Sequence, residues 1–361
     1  MKFQLKTRQI CFFLIAFTPI TKFFILPSIL ANTANEDMWI CSLVNVLLDL
    51  ITLCAIIYTC KKCRCTFFQL LENNLGKTGT KAVLILYLIY FMLKAVLPLS
   101  EQRDYVELTL YTLKPTVLYF LPFFAVPFYL CTKKIRILGR LSDVLWLITI
   151  NGFITLIALS VTNADFGAVL PIGARGLNAV VKGSLSSLNW FGDCVYIMFL
   201  IGEFEYKKKD FWKIALSYLG GAIMIIAFMI IFYCIFTSIA FRQRFALTEI
   251  SKYTTVINNL GRFDYIGIIM ILFSNMFAIS LPIYFSCRIL NKLFGWKNVY
   301  IAPCIVIGLH MFLMLVFSRY YAGIENFIVN YAGIFFIIMS NIFPIITPLF
   351  TLKENRVNEK G

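Results

Sequence analysis

The stretch Phe17-Thr18-Pro19-Ile20-Thr21-Lys22-Phe23 lies in the middle of the first apolar run, Gln9 to Ala31. A run of that length crosses a bilayer as a helix, because about 20 helical residues span the hydrocarbon core. Its centre does not suit a helix that faces lipid. Pro19 removes a backbone donor and crowds the turn before it. Thr18 and Thr21 carry hydroxyls able to satisfy the backbone groups that a break sets free. Lys22 places an ammonium near mid-membrane, at a cost of roughly 2.5–3.5 kcal/mol on insertion scales. The stretch reads as a broken helix with a cation at its break, which makes it a candidate recognition site. The structural alternative is a proline kink whose lysine snorkels or meets a neighbouring acid.

The rest of the chain has the same character. Of 361 residues, 60% are hydrophobic, and the mean hydropathy is +0.82. A soluble protein of this size cannot hide that much apolar surface, so the class is a polytopic membrane protein. The spacing of the apolar runs predicts ten crossings, near 9–31, 38–59, 80–99, 115–131, 141–161, 184–205, 212–236, 264–287, 298–317 and 331–350. They form one integral membrane domain over 1–361, with no soluble domain. The first run is too long for a cleaved signal and lacks a small-residue cleavage site.

The formal charge of +15 is a matter of placement. With the N-terminus inside, the inner segments hold 22 of the 33 Lys and Arg residues and the outer segments 9, with Lys22 and Lys94 inside the membrane. That bias predicts cytoplasmic termini and leaves no basic surface that asks for nucleic acid. Cys60, Cys63 and Cys65 fit no common zinc spacing, and the other cysteines show no disulfide framework. No metal or cofactor is expected. Two outer connections are long, 162–183 and 237–263. The second carries Arg242, Arg244, Glu249 and Lys252 among apolar residues, and reads either as a lid of short helices or as an ordinary loop.

Crossing six repeats the oddity of crossing one. Ser184, Ser186, Ser187, Asn189, Gly192 and Asp193 crowd its first half, and Val195 to Ile201 fill the second. If the chain is two five-helix halves, about 9–161 and 184–350, crossings one and six correspond. Paired interrupted helices are the best sequence pointer to a midplane transporter site. Lys22 then meets Asp193 or a ligand carboxylate, and a lysine buried there couples readily to protonation. Lys94 shares a helix face with Tyr87 and Tyr90. Asp49, flanked by leucines, pairs or relays protons. Ser274 and Asn275, before Pro282, line the same cavity or join helices. His310, the one histidine, reads as a packed residue and not a catalyst. The candidate ligand-binding set is Thr18, Pro19, Thr21, Lys22, Tyr90, Ser187, Asn189, Asp193 and Asn275. Lys22, Asp49, Lys94 and Asp193 are candidates for ion or proton coupling. No catalytic residue is expected: enzyme chemistry would need clustered carboxylates and histidine at an accessible face.

Several motifs resemble a known family. Leu5-Lys6-Thr7-Arg8-Gln9 leads into the broken helix, followed by Leu26-Pro27-Ser28-Ile29-Leu30-Ala31 and Glu36-Asp37-Met38-Trp39-Ile40. Arg103-Asp104-Tyr105-Val106-Glu107-Leu108, Arg140-Leu141-Ser142-Asp143-Val144-Leu145, Val169-Leu170-Pro171 and Trp190-Phe191-Gly192 continue the pattern in order. The chain resembles the spore germination permeases, the B-type subunits of nutrient germinant receptors. These are similar to the amino acid–polyamine–organocation transporters, with two inverted five-helix repeats in a LeuT-like fold. The resemblance implies a small nutrient ligand, typically an amino acid, A-type and C-type partner subunits, the spore inner membrane, and a pocket between crossings one, three, six and eight. The family's first break usually has a small residue near Ile20; here Ile20 and Lys22 stand instead, and Lys22 is expected to intrude on the pocket. A proton-coupled carrier of amino acids or related solutes is the alternative function.

Overall fold

The structure is a computed structural model that describes residues 4–63, 65–105, 116–207, 209–252, 264–316 and 318–358. It is all-helical among those residues, apart from one isolated bridge between Leu5 and Phe204. The first crossing is α1 (Thr7–Ile20), an interruption at 21–25, and α2 (Leu26–Ala34). A short 3-10 turn leads to α3 (Met38–Lys62), and α4 (Phe67–Tyr105) follows. Gly76 lies within α4 at φ +67° and turns the chain there, so its first part is a separate short helix. Then come α5 (Thr116–Cys131) and α6 (Arg136–Ser160).

The stretch expected as the sixth crossing is α7 (Gly176–Ser187), a 3-10 turn Leu188–Trp190, an extended stretch, and the single-turn α8 (Val195–Met198). After it come α9 (Asp210–Phe236), α10 (Ala246–Lys252), α11 (Asp264–Phe294), α12 (Ile301–Val316) and α13 (Ser318–Tyr331). The last crossing is α14 (Gly333–Ile337), a π-helical turn Ile338–Ile342, and α15 (Phe343–Asn358).

Among the described residues six helical stretches are long and apolar enough to cross a membrane. Thr7–Ile20, Leu121–Cys131 and Ile301–Met314 are shorter apolar helices. The first and sixth expected crossings fall short as single helices because each stops partway. Residues 318–330, read from sequence as a connection, form α13, with Ile328 buried and Phe327 exposed. Arg103 and Asp104, read as outer loop, belong to the end of α4.

The two broken crossings run antiparallel, and both ends show it. At one end the amides of Gln4 and Leu5 bond to the carbonyl of Glu203, at 2.9 and 3.1 Å. At the other, the Asp37 carboxylate accepts the amides of Gly173 (2.7 Å) and Arg175 (3.0 Å). Glu36 pairs with the Arg175 side chain at 3.2 Å. The described part of the 237–263 connection is a 3-10 turn and α10. Its residues 253–263 lie outside the described residues, as does Lys114. Phe245, Ala246, Leu247 and Ile250 are buried, and Arg244 reaches Asp104 at 2.5 Å. This segment therefore covers the first break.

Helix α1 packs against α9 where α9 has no side chain to interfere. A Cβ on Gly221 would stand 3.1 Å from Thr18 Cβ and 3.5 Å from Pro19 Cδ, whereas one on Gly220 would have 3.9 Å to its nearest neighbour. Gly221→Leu is therefore expected to lower stability by about 1–3 kcal/mol through overpacking. Gly220→Ala is expected to be neutral or stabilising, because alanine favours a helix over glycine. Thermal unfolding of the purified protein in detergent compares the two.

Candidate functional site

The site forms where the two interruptions meet. In the first, the helix ends at Ile20, and the carbonyls of Phe23 and Phe24 lose their helical partners. They accept the amides of Leu247 (3.2 Å) and Ala246 (3.0 Å). Those amides belong to the first turn of α10, where a helix has no internal acceptor for them. Each segment satisfies the other, which is how irregular backbone survives at membrane depth.

In the second interruption Gly192 adopts φ +81°, and a Cβ there would strike Ser340. Both the backbone angle and the close approach require glycine. The Gly192 amide bonds to both oxygens of Asp49, at 3.1 and 2.9 Å. The freed carbonyls of Asn189 (3.2 Å) and Phe191 accept hydrogen bonds from the Lys94 ammonium.

The charged groups converge on one carboxylate. Lys22, fully buried, donates to Asp193 Oδ2 and lies over the Phe191 ring at 5.5 Å. Lys94 pairs with Asp193 Oδ1 at 3.4 Å. Asp49, besides Gly192, accepts from Tyr218 (3.3 Å) and Asn341 (3.1 Å). Asn341 sits in the π-helical turn and also reaches Thr52 at 3.0 Å. Two ammoniums and two carboxylates thus form one buried, balanced cluster.

Beside it lies a small cavity lined by residues that include Phe17, Thr21, Lys94, Asn189, Trp190, Asp193 and Tyr196. Its volume is about 20 Å³, room for about one water. The site is thus nearly filled by its own side chains.

Of the residues read from the sequence, Thr21, Lys94, Asn189 and Asp193 stand on the cavity wall. Lys22 does not intrude on it; its ammonium is drawn behind the wall by Asp193. Thr18 and Pro19 turn toward Gly221 on α9 instead, because the cavity-facing side of α1 is taken by Phe17. Tyr90 packs among Tyr87, Phe91 and Phe336. Ser187 accepts from Asn45 at 2.8 Å and donates to Gly183. Asn275 donates to Gln102 at 2.7 Å, and Ser274 accepts from Thr149 at 3.0 Å. These pairs join helices and leave the wall to others. Asp49 reaches the site only through Gly192. His310 is buried, with neither ring nitrogen hydrogen-bonded among the described residues, and it is absent from the cavity wall.

The reading from sequence missed the aromatic wall. Phe17 lies one turn before Thr21, and Trp190 and Tyr196 flank Asp193 at the same spacing of three residues. That periodicity was visible, but nothing in it separates a cavity wall from packed core. Trp190 Nε1 donates to the buried Glu101 carboxylate at 2.7 Å.

Removing Asp193 would leave two ammoniums buried beside each other. Asp193→Leu is expected to cost about 3–5 kcal/mol, the usual penalty for orphaning a buried charge. Lys22→Met combined with Asp193→Leu is expected to cost much less than the two changes summed. A double-mutant cycle on unfolding in detergent measures the coupling; additive costs would mean that the pair does not interact.

A family model described as spore germination protein matches residues 4–322. No curated protein matches the sequence. Among solved structures, a mutant of the Eremococcus coleocola manganese transporter aligns with a TM-score of 0.60 at 12% identity, over 92% of this chain and 78% of that one. Mhp1, a nucleobase-cation-symport-1 family transporter captured in a closed conformation with bromovinylhydantoin bound, aligns with a TM-score of 0.51 at 12% identity. That alignment covers 97% of this chain and 93% of Mhp1. At such identity the likeness is one of fold: that of multi-pass membrane transporters.

Proposed function

The chain belongs to the spore germination protein family, and from that premise we propose that it is the membrane-embedded B-type subunit of a nutrient germinant receptor. In this reading it lies in the spore inner membrane with both termini cytoplasmic. Its ten crossings form two inverted halves, about 9–161 and 184–350, and A-type and C-type subunits sit beside it. The observation that carries the reading is the pairing of Lys22 from the first break with Asp193 from the second. A solute entering beside Asp193 has to widen a cavity with room for about one water, and the two breaks move apart as it does so. Solute binding then shifts the population between a closed and a widened state, and the partner subunits respond to the change.

A second reading is that the chain is a carrier. Both similar structures described above are of transporters, and receptor and carrier share one architecture. In that case the Lys22, Lys94, Asp49 and Asp193 cluster would couple solute movement to protons.

Spores that carry Asp193→Asn in their only copy are expected to need about tenfold or more of a mixed amino acid, nucleoside and sugar stimulus, since one lost charged contact is worth about 1.5–3 kcal/mol. The readout is loss of optical density on germination, with subunit levels checked by immunoblot. An unchanged response at normal protein levels counts against the receptor site. Uptake of radiolabelled solute by this chain alone in proteoliposomes would favour the carrier.

A further inference from the structure

Taking the cavity of the proposed receptor as the ligand site, we infer that its ligand is an uncharged, hydroxyl-rich solute and not a free amino acid. The inference rests on which polar atoms of the wall are already engaged. Its nitrogen donors are committed: Lys94 to the carbonyls of Asn189 and Phe191 and to Asp193, Asn189 Nδ2 to the Ile328 carbonyl, and Trp190 Nε1 to Glu101. The backbone donor freed in the second break, the Gly192 amide, is held by Asp49. In a transporter-type site a freed amide of this kind is what receives a substrate carboxylate. Here a carboxylate of the chain has already taken it.

The groups left without hydrogen bonds are oxygens. Among the described residues, Asn189 Oδ1 and Thr21 Oγ1 are buried with no hydrogen-bond partner, and Asp193 Oδ1 is reached by the 3.4 Å ion pair from Lys94. The Asn189 amide oxygen only accepts and the Thr21 hydroxyl accepts or donates, so the wall asks its ligand above all for donors. Charge narrows the class further. The cluster behind the wall holds two ammoniums and two carboxylates. A net-charged ligand would unbalance it in a low-dielectric site, where an unpaired charge is costly, and the carboxylate of a zwitterionic amino acid would find no free nitrogen donor on the wall. A neutral solute bearing several hydroxyls satisfies the free oxygens and leaves the balance intact. The rings of Phe17, Trp190 and Tyr196 supply apolar faces for its carbon skeleton.

The test is a thermal-shift and calorimetric screen of the purified full chain with three sets of probes. One set is uncharged and hydroxyl-rich: hexoses, inositol and nucleosides. The second is the free amino acids, and the third is primary alkylamines. At least one compound of the first set is expected to stabilise the protein saturably, and to bind about tenfold or more tighter than any compound of the other two, because a site built to hydrogen-bond one ligand rejects those that leave its groups unpaired. Asn189→Leu is expected to abolish the response. If that variant fails to fold, the near-isosteric Thr21→Val serves, with a weakened response expected. Saturable binding of a free amino acid or an amine that depends on Asn189 or Thr21 overturns the ligand class and leaves the receptor reading standing. Binding by none of the three sets overturns both.

Discussion

One buried carboxylate, Asp193, holds the two broken crossings to each other. An isolated charge in the membrane interior is prohibitive, so it exists there only in company. Lys22 comes from the first break and Lys94 from α4, and Asp193 sits just beyond the extended turn in the sixth crossing. The arrangement is therefore mutually dependent: the lysines are tolerable because of Asp193, and Asp193 because of them. A second carboxylate, Asp49, completes the charge balance from behind Gly192.

The same dependence governs the backbone. A helix broken inside a membrane exposes amides and carbonyls that lipid cannot satisfy. Here the carbonyls of the first break are taken by α10, whose leading amides would otherwise be unpaired. In the second break the carbonyls are taken by Lys94 and the Gly192 amide by Asp49. Side chains at positions 49 and 94 thus serve the backbone and the charge balance at once. This explains why the site is at once polar and closed. Most of its hydrogen-bonding capacity is spent on holding the breaks open, and only a few oxygens are left over to meet a solute.

Around this centre the antiparallel crossings are pinned at both ends. Leu5 meets Glu203 and Phe204 on one face. On the other, Asp37 meets Gly173 and Arg175, while Arg244 fastens the covering segment to Asp104. The closed cavity is the outcome of contacts at three levels, and widening it requires the middle level to yield while the ends hold or hinge.

The sequence by itself determined the membrane class, the position of the first interruption and the identity of the charged groups. Length, hydropathy and the cost of a mid-membrane lysine are properties of a chain segment and need no partner to be read. Thr21, Lys94, Asn189 and Asp193, which line the small cavity, were legible as candidates for that reason. Tertiary structure alone decided which polar residues reach the cavity. Thr18, Ser187 and Asn275 carry the same chemistry as those that do, but a helix's rotation and its neighbours turn them toward Gly221, Asn45 and Gln102. It also decided that the 318–330 segment is a helix and that an aromatic wall faces Thr21. These outcomes depend on packing between segments far apart in sequence, and no one segment's sequence settles them.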